Sequence, residues 1–355
     1  MVREEIDALR EEVKNNKDIE IDAFDFSTNQ QSLITKHYDI IHYPYFFPYS
    51  LTIPRQKYDA KTVVTIQDLI QLIYPKNYPS GTRGRLNLIR QKLGLGSVDA
   101  VITISETSKK DIVRLLGVRS EKIFVVYLAP KDIYRVITNK EKLADVSKKY
   151  HLPAKFVLYV GDVNYNKNIP TLIKACDEAG LPLVICGKQA ADLERRGMGL
   201  DTLTGPRDYL RFLLNKPHPE LAHLKDLVTL LENKKVLRLG FVPNEDLVSI
   251  YNLASVYCQP SLYEGFGLPV LEAFACETPV VISRTQALVE IAGNAALVAE
   301  PNDSGDFAAK ILKLVNDSSE KLRLLRMGAE RCKFFSWEKT AKEMLKVYTK
   351  VANSS

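Results

Sequence analysis

Short, predominantly apolar runs alternate with helix-patterned stretches along this chain, and the whole series occurs twice. Asp39 to Tyr43, Thr62 to Ile66, Ala100 to Ile104 and Lys122 to Tyr127 form the first series. Phe156 to Gly161, Leu183 to Gly187, Val236 to Phe241, Val256 to Gln259 and Thr278 to Ile282 form the second. Strands apolar on both faces belong in parallel sheets covered by helices, so the pattern predicts an α/β fold with two Rossmann-like, doubly wound halves. Two such halves place ligands in a cleft between them. The 355 residues leave room for both, at roughly 150 residues per domain. The expected division is a first domain over 1–130, a linker over 131–152, a second domain over 153–335 and a last helix over 336–355, with Ser336 as its cap. Val2 to Val13 is patterned as an amphipathic helix, and Ile19 to Phe26 alternates as a half-exposed strand would. The long stretch Lys188 to Lys234 is expected to hold extra helices.

The chemistry concentrates in Ser261-Leu262-Tyr263-Glu264-Gly265-Phe266-Gly267-Leu268-Pro269-Val270-Leu271-Glu272-Ala273. The apolar run before it ends at Pro260, and Pro269 stands where a helix can open without losing a hydrogen bond. The unit is therefore strand, Gly-rich turn, helix. Its unpaired N–H groups at the positive end of a helix form an anion site. Glu264 on the turn and Glu272 on the first helical turn can both face one ligand. Carboxylates beside a phosphate cradle suit a ligand carrying both phosphate and vicinal hydroxyls, such as a sugar nucleotide.

The same residues carry a resemblance. Glu264 and Glu272, with seven residues between them that include Gly-Phe-Gly-Leu-Pro, and with Pro260-Ser261, Pro279-Val280-Val281 and Ala295-Ala296-Leu297-Val298 as flanks, resemble the donor motif of the retaining family-four glycosyltransferases. The likeness runs from about Tyr38 to about Tyr348. It implies a GT-B fold whose last helix returns to the first domain. The implied activity is transfer of a hexose, mannose or glucose, from a GDP- or UDP-sugar to a glycan or lipid-linked acceptor. By the same likeness Glu264 contacts the sugar hydroxyls and Glu272 the ribose, while Gly265, Phe266, Gly267 and Leu268 line the sugar and phosphate. Gly161-Asp162-Val163-Asn164-Tyr165-Asn166-Lys167-Asn168 resembles the family's glycine-to-lysine loop, which makes Gly161 a donor-site residue and Lys167 the diphosphate ligand. The family's arginine in that loop is replaced by Asp162 and Asn166.

Two further departures concern the first domain. Thr65-Ile66-Gln67-Asp68-Leu69 resembles the family's His-Asp pair at a strand end, with Gln67 in the place of the histidine. Glutamine cannot take a proton. In the front-face reaction implied by the family the leaving diphosphate accepts the acceptor's proton, so Gln67 and Asp68 remain the catalytic positions beside Glu264. The family's opening strand and Gly-rich loop are not visible, so the first sheet is expected to lack a central strand. His42 and Ser105 are candidate cleft residues, with a packed histidine and a helix cap as their plainer alternatives. The rival reading is a non-catalytic or partner-dependent sugar-nucleotide-binding subunit. A nucleotide-sugar epimerase of the same architecture is disfavoured by the paired glutamates.

Composition sets the remaining bounds. No apolar run approaches the roughly 20 residues of a membrane span. The opening residues are charged rather than signal-like. The five cysteines are scattered and form no C-x-x-C pair; Cys186 and Cys258, in apolar runs, are expected as buried thiols, and a reducing, cytoplasmic setting follows. Neither an Asp-x-Asp nor a spaced histidine set occurs, so no metal is expected. Net charge +6 is too mild for a nucleic-acid partner but compatible with diphosphates. Arg83, Arg85, Arg90 and Lys92 interleave with Leu86, Leu88, Ile89 and Leu93, a basic amphipathic stretch that suits either a solvated helix face or a peripheral membrane contact.

Overall fold

The computed structural model describes residues 2–14, 18–24, 36–53, 58–191, 227–231 and 235–354. It divides into two compact units, one of residues 1–75, 80–129 and 335–355, the other of residues 76–79 and 130–334.

Among its described residues the first unit holds a four-stranded parallel sheet, β1 (Ile40–Tyr43), β2 (Lys61–Thr65), β3 (Ala100–Thr103) and β4 (Ile123–Val125), in that spatial order. All four residues of β3 are buried, as expected of an inner strand covered on both faces. One face packs on helix Gly81–Gly96 through a core that includes Val64, Ile66, Leu95, Val98, Val101 and Ile112. The other is covered by the first helix, Val2–Val13, and the last, Trp337–Ala352, which pack on each other. Leu9, Met344, Val347 and Val351 bury there against Val63, Ala100 and Ile102.

The alternating stretch at Ile19 forms no strand over residues 18–24, and Asp25 and Phe26 lie outside the described residues. Among the described residues β1 pairs with β2 alone. A cavity of about 780 Å³, lined by Ile19 to Asp22 on one side and by Ile40 and His42 on the other, separates the two segments. They are tied by side chains instead: Lys36 Nζ donates to Asp22 Oδ2 at 2.6 Å and to Glu20 Oε1 at 3.0 Å. Alternation gives a segment a strand's pattern, but a ladder needs a neighbour within hydrogen-bond reach.

Among its described residues the second unit holds a six-stranded, all-parallel sheet in the order β10-β9-β8-β5-β6-β7. The strands are β5 (Val157–Val160), β6 (Leu183–Cys186), β7 (Val236–Gly240), β8 (Val256–Gln259), β9 (Val280–Ser283) and β10 (Leu297–Ala299). Residues 131–152, read from sequence as a linker, belong to this unit. Their helix Lys140–Lys149, capped by Asn139, packs on helix Asn244–Leu253. Lys149 Nζ and Tyr150 Oη both donate to Asp246 Oδ2 at 2.7 Å. Within 188–234, Lys188–Ala191 and residues 227–231 are helical, and the rest of that expectation lies outside the described residues. Cys176, Cys186, Cys258 and Cys276 are buried free thiols, Cys332 a half-buried one. No described helix is long and apolar enough to cross a membrane.

Candidate functional site

The strand-turn-helix unit sits in the second unit. Val256–Gln259 is wholly buried at the centre of the six strands, and the turn after it leads into helix Leu268–Ala275 with Pro269 in its first turn. Gly267 makes the turn possible. Its φ is +108°, and a Cβ there would lie 2.6 Å from Leu288 Cδ2. Phe266 is buried beside it.

Two loops, distant in sequence, are joined at this point. Leu262 N–H donates to the Asn166 carbonyl at 2.7 Å, and Asn166 Nδ2 donates to the Tyr263 carbonyl at 3.1 Å. Asn168, in the left-handed conformation at φ 54°, donates from Nδ2 to the Pro260 carbonyl at 3.1 Å. Tyr78 Oη donates to Asn166 Oδ1 at 2.8 Å, so the asparagine in the arginine's expected place is a structural tie. Lys167 ends the short 3₁₀ turn Tyr165–Lys167, and its Nζ lies 2.7 and 2.9 Å from the two carboxylate oxygens of Glu264.

Glu264 is the hub. Ser261 Oγ donates to its Oε1 at 2.6 Å and Gln259 Nε2 at 2.7 Å, while Gln259 accepts in turn from Tyr257 Oη. The carboxylate is only 7% exposed, so these donors and the Lys167 ammonium offset its desolvation. Gln259 was not singled out from sequence, and Ser261 was noted only as part of the motif and its flank, without a role. Their signal was present, since polar side chains at the end of an otherwise apolar strand must find partners.

Glu272 draws on different partners. Tyr251 Oη donates to its Oε2 at 2.9 Å, and Tyr134 also hydrogen-bonds to it. Burial outweighs both bonds and pushes its pKa up from 4.5 to about 7. The two glutamates therefore share a motif but not a set of hydrogen-bond donors.

A second contact also escaped the sequence reading. A Cβ on Gly187 would stand 2.1 Å from the Gly161 carbonyl, so the end of β6 approaches the start of the Lys167 loop as only glycine allows. Gln189 then fixes that loop, accepting from Val163 N–H at 2.8 Å and donating to Asn164 Oδ1 at 2.9 Å.

The remaining candidates lie in the first unit. Gln67 and Asp68 follow β2 and are half-buried; Asp68 Oδ1 accepts from Ile70 N–H at 3.2 Å. Ser105 is buried and caps helix Glu106–Asp111, accepting from Ser108 N–H at 3.0 Å. His42 is held at both ring nitrogens, Nδ1 at 2.7 Å from Tyr348 Oη and Nε2 at 2.8 Å from Thr65 Oγ1. Desolvation pushes its pKa down to about 4, so the ring is a neutral packing element between β1, β2 and the last helix. No group of three or more metal-ligating side chains occurs among the described residues.

Two parallel α/β sheets in separate units define the GT-B class, and solved structures agree. Sucrose-phosphate synthase from Thermosynechococcus elongatus superposes with a TM-score of 0.64 at 24% identity, over 85% of this chain and 70% of its own. Anabaena HepE, crystallised with UDP-glucose, superposes with a TM-score of 0.61 at 18% identity, over 82% and 72%. The model for "Glycosyl transferases group 1" matches residues 139–331, and that for "Glycosyltransferase Family 4" matches residues 8–129. The chain belongs to the group 1 glycosyl transferases, and it is a glycosyltransferase. Among similar curated proteins, O-antigen chain mannosyltransferase B of Escherichia coli is 31% identical over 81% of this chain and 70% of its own length. The serotype-specific mannosyltransferase WbdA of the same organism is 27% identical over 89% of this chain, which spans only 37% of that longer protein.

Proposed function

We propose that this glycosyltransferase moves a hexose, mannose or glucose, from a GDP- or UDP-sugar to a hydroxyl of a glycan or lipid-linked acceptor, with retention of configuration and without a metal. The observation that carries the reading is the pairing of Lys167, from the loop after β5, with Glu264 in the turn that opens helix Leu268–Ala275. Without donor the ammonium and the carboxylate neutralise each other. An incoming diphosphate takes over the ammonium, and the freed carboxylate oxygens accept hydrogen bonds from the sugar. The mannosyltransferase names among the relatives favour mannose.

In this reading the bond from the anomeric carbon to the diphosphate oxygen breaks while the acceptor oxygen bonds to the same face. The acceptor's proton passes to the departing diphosphate. The charge that grows there is met by the Lys167 ammonium and by the positive end of helix Leu268–Ala275. Gln67, which stands in the place of the family's histidine, can supply hydrogen bonds but no proton transfer.

Thermal shift with GDP, UDP and their mannose and glucose conjugates tests the site. A ligand at 100 times its dissociation constant stabilises by about 2.7 kcal/mol. The Lys167→Ala variant should lose affinity for the diphosphate far more than for the bare nucleoside, and the difference should shrink in salt. Equal losses, or no stabilisation by any nucleoside diphosphate, would overturn the assignment. Transfer should persist in excess chelator.

A further inference from the structure

Strand β8 is buried along its whole length inside the second sheet, and it ends on a glutamine. Gln259 is 1% exposed. An amide is costly there unless its polar atoms find partners, and an apolar side chain would serve the sheet equally well. Both N–H groups of this amide are spent in one place. Nε2 donates to Glu264 Oε1 at 2.7 Å and to Ser261 Oγ at 3.0 Å, and Ser261 Oγ donates in turn to the same Oε1 at 2.6 Å. The amide oxygen accepts from Tyr257 Oη. That hydroxyl fixes the sense of the amide, which if turned over would set its oxygen against the carboxylate.

The two oxygens of Glu264 are therefore unlike. Oε1 has two neutral donors besides Lys167, whereas Oε2 has Lys167 alone among the described residues, at 2.9 Å. When a diphosphate draws the ammonium away, Oε1 keeps both neutral donors and Oε2 keeps none. A carboxylate oxygen accepts about two hydrogen bonds, so Oε1 is then filled and Oε2 is open to sugar hydroxyls. The same two bonds hold the side chain still at the moment its counter-charge leaves.

We propose that Gln259 is a positioning residue of the transfer reaction. Together with Ser261 it pins Oε1 of Glu264, so that Oε2 is the oxygen presented to the donor sugar, and Tyr257 sets the direction in which its amide points. This rests on the donor-site reading above and narrows it to one oxygen and the amide that orients it.

Isothermal titration with GDP, UDP and their mannose and glucose conjugates measures what the sugar adds to affinity, as the ratio of the two dissociation constants. Gln259→Met keeps the length of the side chain and removes the amide. It should lower the sugar's contribution about tenfold, and turnover by at least as much, while affinity for the nucleoside diphosphate stays within about threefold. Tyr257→Phe removes one hydroxyl and keeps the ring that packs 5.6 Å from Tyr251, the partner of Glu272. Its effect should be the same in kind and about threefold, and it carries the test even where the core does not accept methionine. A double-mutant cycle separates positioning from packing. In a Glu264→Ala background, Gln259→Met should not lower the sugar's contribution further, because no carboxylate is left to orient. A residue that only fills the core would lose as much in either background. Equal losses in the two backgrounds, or variants that match the parent in both affinity ratio and turnover, overturn the proposal and leave the donor site standing. A parent that binds no nucleoside diphosphate overturns the donor-site reading and this proposal with it.

Discussion

At the residue scale the two glutamates of the motif do different things, and their surroundings say why. Glu264 accepts from Ser261, Gln259 and Lys167, whereas Glu272 has two tyrosine hydroxyls and the charge of Lys131 to offset its burial, which outweighs them. A native pKa near 7, above the ordinary 4.5, means that the folded chain keeps a proton that the unfolded chain has already lost. Stability should therefore fall as pH rises between those values, on the order of 3 kcal/mol in total. Glu272→Gln keeps an oxygen for Tyr251 and should flatten that slope; denaturant unfolding from pH 5 to pH 8 reads it. Ribose hydroxyls would favour the ionised carboxylate, so nucleotide affinity should rise with pH through the same window in the parent and not in the variant. A parent slope identical to the variant's would mean that Glu272 is charged throughout. The spacing of the two glutamates was legible in the sequence. Their unequal environments were not, because Lys167, Tyr251 and Tyr134 reach them from other segments of the chain.

At the scale of elements, five of the six strands of the second sheet were plain in the sequence, because a parallel strand covered on both faces is written as an apolar run, while the three-residue edge strand Leu297–Ala299 was not read as one. Leu183–Cys186 and Val280–Ser283 are buried along their whole length. The sequence was less explicit where pairing or packing decided the outcome. Ile19 onward has a strand's alternation and no ladder, and residues 131–152 look irregular yet carry a capped, packed helix. The turn between β8 and helix Leu268–Ala275 lies between these cases. Its glycines were visible, but the 2.6 Å approach to Leu288 was not. Gly267→Ala should combine left-handed strain with that clash and cost about 1–3 kcal/mol. The melting temperature should drop by roughly 2–10 °C. Gly96→Ala, where nothing lies within 4 Å of the added methyl and φ is not positive, should leave it unchanged or higher. Equal melting temperatures for parent and Gly267→Ala would show that the turn relaxes freely.

For the whole molecule, the ordering of the chain matters more than any single contact. The first unit is discontinuous, built from the first third of the sequence and its last 21 residues, 335–355, while the second lies almost wholly within 130–334. Met344, Val347 and Val351 are at most 5% exposed, and each buries against β2, β3 or Leu9. At about 1.5–3 kcal/mol per buried side chain, these three alone supply roughly 5–9 kcal/mol, comparable with the entire stability of an ordinary domain. Thr340 Oγ1 donating to the Tyr127 carbonyl at 2.7 Å and Tyr348 at His42 add polar ties at both ends of the helix. A chain ending at Ser336 should therefore lose the first unit and keep the second. In hydrogen exchange, the amides of β1 to β4 should become unprotected, while those of β5, β8 and β9 keep the protection they have in the full chain. Nucleoside diphosphate should still bind the shortened chain and raise its melting temperature, because Lys167, Glu264 and Glu272 are all held within the second unit. Transfer should be abolished, since Gln67 and Asp68 follow a strand that no longer forms. Retained protection of β1 to β4 would show that the first sheet stands without the helix that covers it. Loss of nucleotide binding would show that the donor site is not confined to the second unit.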